Sequence, residues 1–195
     1  MATPFGTLYS SNITPDPDTG IGRWSEAAFV RAMRKGVARD GSHLFPAFPY
    51  QHFNLVTDED LHALYAFLMT RAPVKAATPA PDIPFPLNVR ALQAGWKLLF
   101  FRDRAFAPDG SKGADWDRGA YLAEGLSHCS ACHSPRNKLG AEKMGDARYA
   151  GAVVDHWYAP ALTPANPAPL AWTTAEIETY LRQGGTALHG VAAGS

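Results

Sequence analysis

The sequence carries little charge, and what it carries cancels. Lys plus Arg and Asp plus Glu number 18 each in 195 residues, so 18% of the chain is charged, below the roughly 25% of an average globular domain. No run of five or more basic residues occurs, and neither net charge nor a basic tract argues for nucleic acid. Cysteine is almost absent. Two residues, Cys129 and Cys132, are too few for a disulfide scaffold of this size. Long apolar runs are missing as well. Runs such as Leu98-Leu99-Phe100-Phe101 fall far short of the roughly 20 residues that a membrane-spanning helix needs. The opening Met1-Ala2-Thr3-Pro4-Phe5 has neither a basic nor an apolar region, so no secretory leader is read there, and the chain by itself reads as soluble.

What is present points to helices separated by long loops. Seventeen glycines and sixteen prolines punctuate a chain that is 46% hydrophobic and 11% aromatic, a globular composition long enough for one ordinary domain or two small ones. Two segments resemble each other. The first runs Ile13-Thr14-Pro15, then Trp24, Ser25, Glu26, Phe29, Met33, Arg34 and Gly36; the second runs Leu162-Thr163-Pro164, then Trp172, Thr173, Thr174, Ile177, Leu181, Arg182 and Gly184. Trp precedes Gly by twelve residues in both, at an offset of 148 residues, too long for a solenoid period. Ser25 reads as an N-cap and Gly36 as a helix stop, while Thr173 with Glu176 makes a capping-box signature. A duplicated small domain explains the pattern; two unrelated amphipathic helices, each entered by Trp, remain the alternative.

The first copy continues through Phe45-Pro46-Ala47-Phe48-Pro49-Tyr50 to a helix opening at Thr57-Asp58-Glu59-Asp60, another capping box, with Leu61, Leu64, Tyr65 and Leu68 on one face. The stretch from Ala72 to Pro86 reads as a Pro/Ala-rich linker. Helices are expected from Asn88 to Phe101, with Leu92, Trp96 and Leu99 on one face, and from Asp115 to Leu126, leading into the cysteines.

Cys129-Ser130-Ala131-Cys132-His133 matches C-x-x-C-H, the attachment signature of c-type haem. The spacing has a chemical reason. One helical turn puts both sulfurs on one side, where each can form a thioether with a haem vinyl group, and His133 projects from the same turn as proximal iron ligand. A zinc site is the first rival. It wants four ligands at characteristic spacings, and His156 and His189 lie 33 residues apart. A redox dithiol wants a thioredoxin-like context, which the helical, Pro-rich surroundings do not offer. Inert cysteines are the third alternative.

The distal ligand has no clear candidate. Met commonly fills that place in cytochromes c, but Met144 follows His133 by only eleven residues and reads as a packing or surface residue. Phe48 follows Gly36 by twelve residues, and twelve after Gly184 is one position past Ser195. The second copy is therefore expected to lack its natural distal ligand, with water, His189 or His156 as substitutes. His133 precedes Thr163 by thirty residues, and thirty before Thr14 falls upstream of Met1. The expectation is a fragment, or a mis-started and truncated reading frame. Trp24, Trp172 and Arg136 are candidate partners for a haem propionate, against core packing for each Trp. His43, His52, His62 and His128 read as solvated or backbone-bonded residues.

At these residues the sequence resembles the multi-haem cytochrome c subunits of bacterial membrane-bound dehydrogenases, the alcohol, gluconate and aldehyde types among them. The resemblance rests on Thr3-Pro4-Phe5-Gly6-Thr7 with Ser10-Ser11-Asn12-Ile13-Thr14-Pro15-Asp16, on Arg118-Gly119-Ala120-Tyr121-Leu122 through Cys129 to Leu139-Gly140-Ala141-Glu142-Lys143, and on Trp157-Tyr158-Ala159-Pro160-Ala161-Leu162. It implies three tandem cytochrome units, with Cys129, Cys132 and His133 serving the second haem. It also implies export to the periplasm, and electron passage from a catalytic dehydrogenase subunit to quinone or a terminal oxidase. Phe48 stands where some members carry Met, and Met1 is the alternative distal ligand for a first haem.

The expectation is thus an all-α protein of two incomplete cytochrome c units, residues 1–71 and 88–195, joined by a linker at 72–87. It carries one haem c and no catalytic residues. Membrane association is expected only through other regions or partners, and nucleic acid is not a partner. A haem enzyme of peroxidase type, with an open sixth iron position, is the competing class.

Overall fold

A computed structural model of the chain describes residues 2–154, 156–164, 166 and 171–191. They form two compact units, residues 1–131 with 136–142 and residues 132–135 with 143–195.

The first unit opens with a short antiparallel hairpin, β1 (Ala2–Thr3) and β2 (Gly6–Thr7). Three helices follow: α1 (Glu26–Lys35), α2 (Tyr50–Phe53) and α3 (Asp58–Met69). Helix α1 starts where Ser25 caps it by accepting from the Ala28 amide, and it ends at Gly36 in the left-handed conformation, φ 57°. Glycine is needed at Gly36 twice over, because an added Cβ would also lie 2.4 Å from the Tyr50 ring. The apolar face of α1 buries Phe29 and Met33 against Ile21, Val56 and Leu61, and Trp24, Phe48, Leu64, Tyr65 and Leu68 complete this core. Arg34 ties the helices together by donating to the main-chain oxygens of Asn54 and Val56 and to Asp58. At the start of α3, Thr57 accepts from the Asp60 amide.

The Pro/Ala-rich segment is laid along the N-terminal stretch. The Asn12 amide group donates to the Val74 carbonyl at 2.7 Å, the Ala76 amide donates to the Thr19 hydroxyl at 3.0 Å, and Thr7 exchanges two main-chain hydrogen bonds with Asp82. Ile83 is buried. The division between compact units therefore falls beside Cys132, away from residues 72–87.

Helix α4 (Arg90–Phe100) lies where the periodicity places it, but not with the expected face inward. Leu92 and Leu99 are exposed and Gln93 is the buried residue, while the Trp96 indole donates to the Leu139 carbonyl at 2.8 Å. Helix α5 (Ala114–Tyr121) runs directly into a π-helical turn, Leu122–Leu126. Such turns are rare and concentrate at functional sites, and this one leads into the cysteines.

The chain crosses into the second unit within α6 (Ser130–His133). Beyond it come a 3₁₀ turn (Gly145–Ala147), the antiparallel pair β3 (Ala152–Val154) and β4 (Trp157–Ala159), helix α7 (Thr174–Gln183) and the short hairpin β5 (Gly185–Thr186) and β6 (Gly190–Val191). Helix α7 carries the full reciprocal capping box between Thr173 and Glu176 and stops at left-handed Gly184, φ 75°. Its apolar face is not covered as that of α1 is, since Ile177 and Leu181 are exposed. Among the described residues, no helix is long and apolar enough to cross a membrane.

Candidate functional site

The C-x-x-C-H segment is shaped by the turn before it. The Cys129 amide donates to the Ala123 carbonyl at 2.9 Å, extending the π-helical reversal, and His128 takes a left-handed φ of 41°. This conformation is uncommon for a residue with a side chain. It re-aims the chain so that α6 can begin at Ser130, and the Ala131 amide then donates to the His128 carbonyl. Ser130 and Ala131, the two intervening residues, are buried, while Cys129 is half-buried and Cys132 exposed. The motif therefore hides its spacer and presents its sulfur-bearing positions.

His133 is oriented by a main-chain oxygen. Its Nδ1 donates to the Pro160 carbonyl at 2.7 Å. A carbonyl can only accept, so Nδ1 carries the proton and Nε2 keeps its lone pair for a metal. A histidine ligand held in this way has its tautomer and ring direction set by its second partner. Nothing in the sequence marks Pro160 for this role. It belongs to the Trp157-Tyr158-Ala159-Pro160 run, which becomes meaningful only once β4 brings it beside His133. The His133 carbonyl also accepts from the Gly151 amide at 2.8 Å, and the Ser134 hydroxyl accepts from the Tyr149 amide at 2.9 Å.

The residues fit a covalently held porphyrin. In the second unit Ala161 is the one buried apolar residue among those described, whereas Met144, Val153, Leu162, Ile177, Leu181 and Leu188 are exposed. A planar apolar group bonded to Cys129 and Cys132 would give such side chains a surface to pack on. Among the described residues, no group of three or more His, Cys, Asp and Glu side chains is gathered to bind a metal ion.

A buried polar cluster of the first unit grips the attachment turn. Ser130 Oγ donates to Glu142 Oε2 at 3.1 Å, and Glu142 Oε1 lies 2.7 Å from His52 Nε2. His52 Nδ1 in turn donates to the Glu124 carbonyl at 3.0 Å. Arg136 donates to the carbonyls of Ala131 and Gly140 and lies 3.8 Å from Glu142. Burial alone would raise the Glu142 carboxyl, but the hydrogen bond and charge of His52, with Arg136 and Ser130, hold it below its ordinary value. His128 is pushed down by burial and by the neighbouring His52 charge.

The remaining expected residues fall elsewhere. His52 is buried between a carboxylate and a carbonyl rather than solvated, because α2 carries it against the π-helical turn. His62 is exposed and pairs with Glu26, and His43 lies 3.2 Å from the Lys97 ammonium. Trp24 packs against the first core and its carbonyl accepts from the Tyr65 hydroxyl, the packing role expected as its alternative. Trp172 stacks on His189, ring centroids 3.5 Å apart, and His189 Nε2 lies 3.7 Å from Glu176. His156 is exposed between β3 and β4, Met144 is a surface residue, and Phe48 packs on Phe53 with ring centroids 5.3 Å apart. Met1 and position 196 lie outside the described residues.

No family model matches the chain. Individual relatives do. Over 194 residues and its whole length, the chain is 55% identical to a nicotinate dehydrogenase subunit of Pseudomonas putida, of which it spans 16%. Again over its whole length, it is 40% identical to the fructose dehydrogenase cytochrome subunit of Gluconobacter japonicus, spanning 40% of that protein. A dihaem cytochrome c-type protein of Cereibacter sphaeroides is 38% identical over 95% of the chain and 62% of its own length. The chain thus spans less than two thirds of each of these relatives. With a C-x-x-C-H motif and a His133 ring whose Nδ1 is bonded to the Pro160 carbonyl, this chain is a homologue of the cytochrome c subunits of bacterial dehydrogenases.

Proposed function

We propose that the chain is an electron-carrying segment of a dehydrogenase-associated multi-haem subunit. In this reading it is built of two tandem, mainly helical cytochrome c units and works on the periplasmic side of the inner membrane. One haem c is bonded to Cys129 and Cys132 and ligated by His133. Electrons arrive from a catalytic dehydrogenase subunit and leave toward quinone or a terminal oxidase. The bound group supplies a one-electron ferric/ferrous couple. The protein supplies the anchor, the proximal nitrogen and the surroundings that set the potential.

The observation that carries this reading is the His133–Pro160 contact within the C-x-x-C-H context. It commits the imidazole to present Nε2, and a haem-binding motif with no cofactor role has no use for that commitment. Buried Ser130 and Ala131 hold the spacer of the motif in place. The relatives support a carrier, being cytochrome subunits of dehydrogenases, and lend nothing to the peroxidase alternative.

The test is production of the chain together with cytochrome-maturation machinery. Haem is expected to stay with the polypeptide on a denaturing gel and to disappear in the Cys129→Ala/Cys132→Ala variant. Colourless protein with two alkylatable thiols would end the proposal.

A further inference from the structure

The contacts of the buried His52–Glu142 pair match the state in which it holds two protons. The Glu124 carbonyl can only accept, so the 3.0 Å contact with His52 Nδ1 requires a proton on that nitrogen. The 2.7 Å contact between Nε2 and Glu142 Oε1 then requires a second proton, because a lone pair facing a carboxylate oxygen at that distance would repel. The pair is therefore one proton richer than a neutral imidazole beside a bare carboxylate. Loss of that proton would leave the Glu142 carboxylate facing Arg136 alone, where the side chains of His52 and Glu142 are only 5% and 7% exposed. Glu142 also accepts from Ser130, the residue immediately after Cys129 and inside the attachment turn.

We infer that the His52–Glu142 pair is a redox-linked proton site, which takes up a proton from solvent when the haem held by this turn gains an electron and releases it on oxidation. The inference rests on the haem assignment above. With haem bound, the charge of one added electron would be compensated by one proton taken from solvent into the Nε2···Oε1 contact, and oxidation would return that proton to solvent. The physical basis is ordinary linkage. A buried charge close to a redox centre interacts differently with its two oxidation states, and the redox state must then shift proton affinity by the same free energy.

The other groups facing the pair do not supply this function. Arg136, 3.8 Å from Glu142, stays charged throughout. His128, with its ring 6.4 Å from that of His52, is held toward its neutral form by burial and by the charge on His52. Glu124 contributes its main-chain oxygen. On the far side of α2, Arg34 bonds the Asn54 carbonyl and Lys97 lies over the Tyr50 ring, so both address other partners.

The test is a redox titration of the full haem-loaded chain, followed by absorbance, between about pH 5 and 9. The midpoint potential is expected to fall as pH rises, approaching at its steepest about 59 mV per pH unit, the one-electron equivalent of a tenfold change in proton activity. Glu142→Gln and, independently, His52→Asn are each expected to flatten that slope while haem remains attached. Should one variant fail to mature, the other still decides. A flat profile in the unsubstituted chain would overturn the inference, as would a slope that survives in the variants. Either result leaves the carrier reading standing, whereas failure of haem to attach at all removes that reading instead.

Discussion

The Nδ1 of His133 and the main-chain oxygen of Pro160 are 2.7 Å apart, although 27 residues separate them in the chain. Because the acceptor is a backbone atom, replacing the side chain should not break the contact. Pro160→Ala is expected to leave the absorption spectrum of the haem-loaded chain unchanged. His133→Ala is expected to keep the covalent haem but shift both the Soret band and the midpoint potential. Loss of the native spectrum in Pro160→Ala would show that the ring of Pro160, and not its carbonyl, supports the ligand.

Acid should loosen the buried cluster. The Glu142 carboxyl is held below its ordinary value by His52, Arg136 and Ser130 despite its burial. Folding therefore gains from it above the ordinary carboxylate range, and the gain is lost as pH falls through the depressed value. Thermal melts should show stability dropping on the acid side. Glu142→Ala should cost about 3–5 kcal/mol at neutral pH, as removal of one partner of a buried pair does, and should blunt the acid dependence.

Gly36→Ala is expected to lower stability by about 2–4 kcal/mol. It combines a left-handed backbone at φ 57° with a methyl group 2.4 Å from the Tyr50 ring. Urea titration should show a lower midpoint at an unchanged slope. An unaltered midpoint would mean that α2 does not pack on the end of α1.

Thr173→Ala removes the hydroxyl that accepts from the Glu176 amide, and with it the capping box of α7. The expected cost is about 1 kcal/mol, read as faster amide exchange in the first turn of α7, with Thr173→Ser restoring protection. Equal exchange in all three proteins would count against the cap.

Local signals were legible at every capped end. Ser25, Thr173, Gly36 and Gly184 each mark a helix terminus where the spacing placed it, because capping depends on residues three or four apart. The buried face of α4 was not legible. Leu92 and Leu99 are exposed while Gln93 is buried, since periodicity reports an apolar stripe but not what the fold brings against it. The repeated Trp-to-Gly segments show the same limit. Phe29 and Met33 of α1 are core residues, whereas Ile177 and Leu181 of α7 are exposed.

Sequence alone determined the covalent chemistry on offer, because C-x-x-C-H places two sulfurs and an imidazole within a single turn whatever surrounds it. It also determined where the capped helices α1 and α7 begin and end. Only the tertiary structure decided which distant groups act on that turn: Pro160 at the imidazole, and Glu142, itself held by His52, at its spacer. A hydrogen bond between groups 12 to 90 residues apart depends on how the chain returns on itself, and residue spacing does not encode that path.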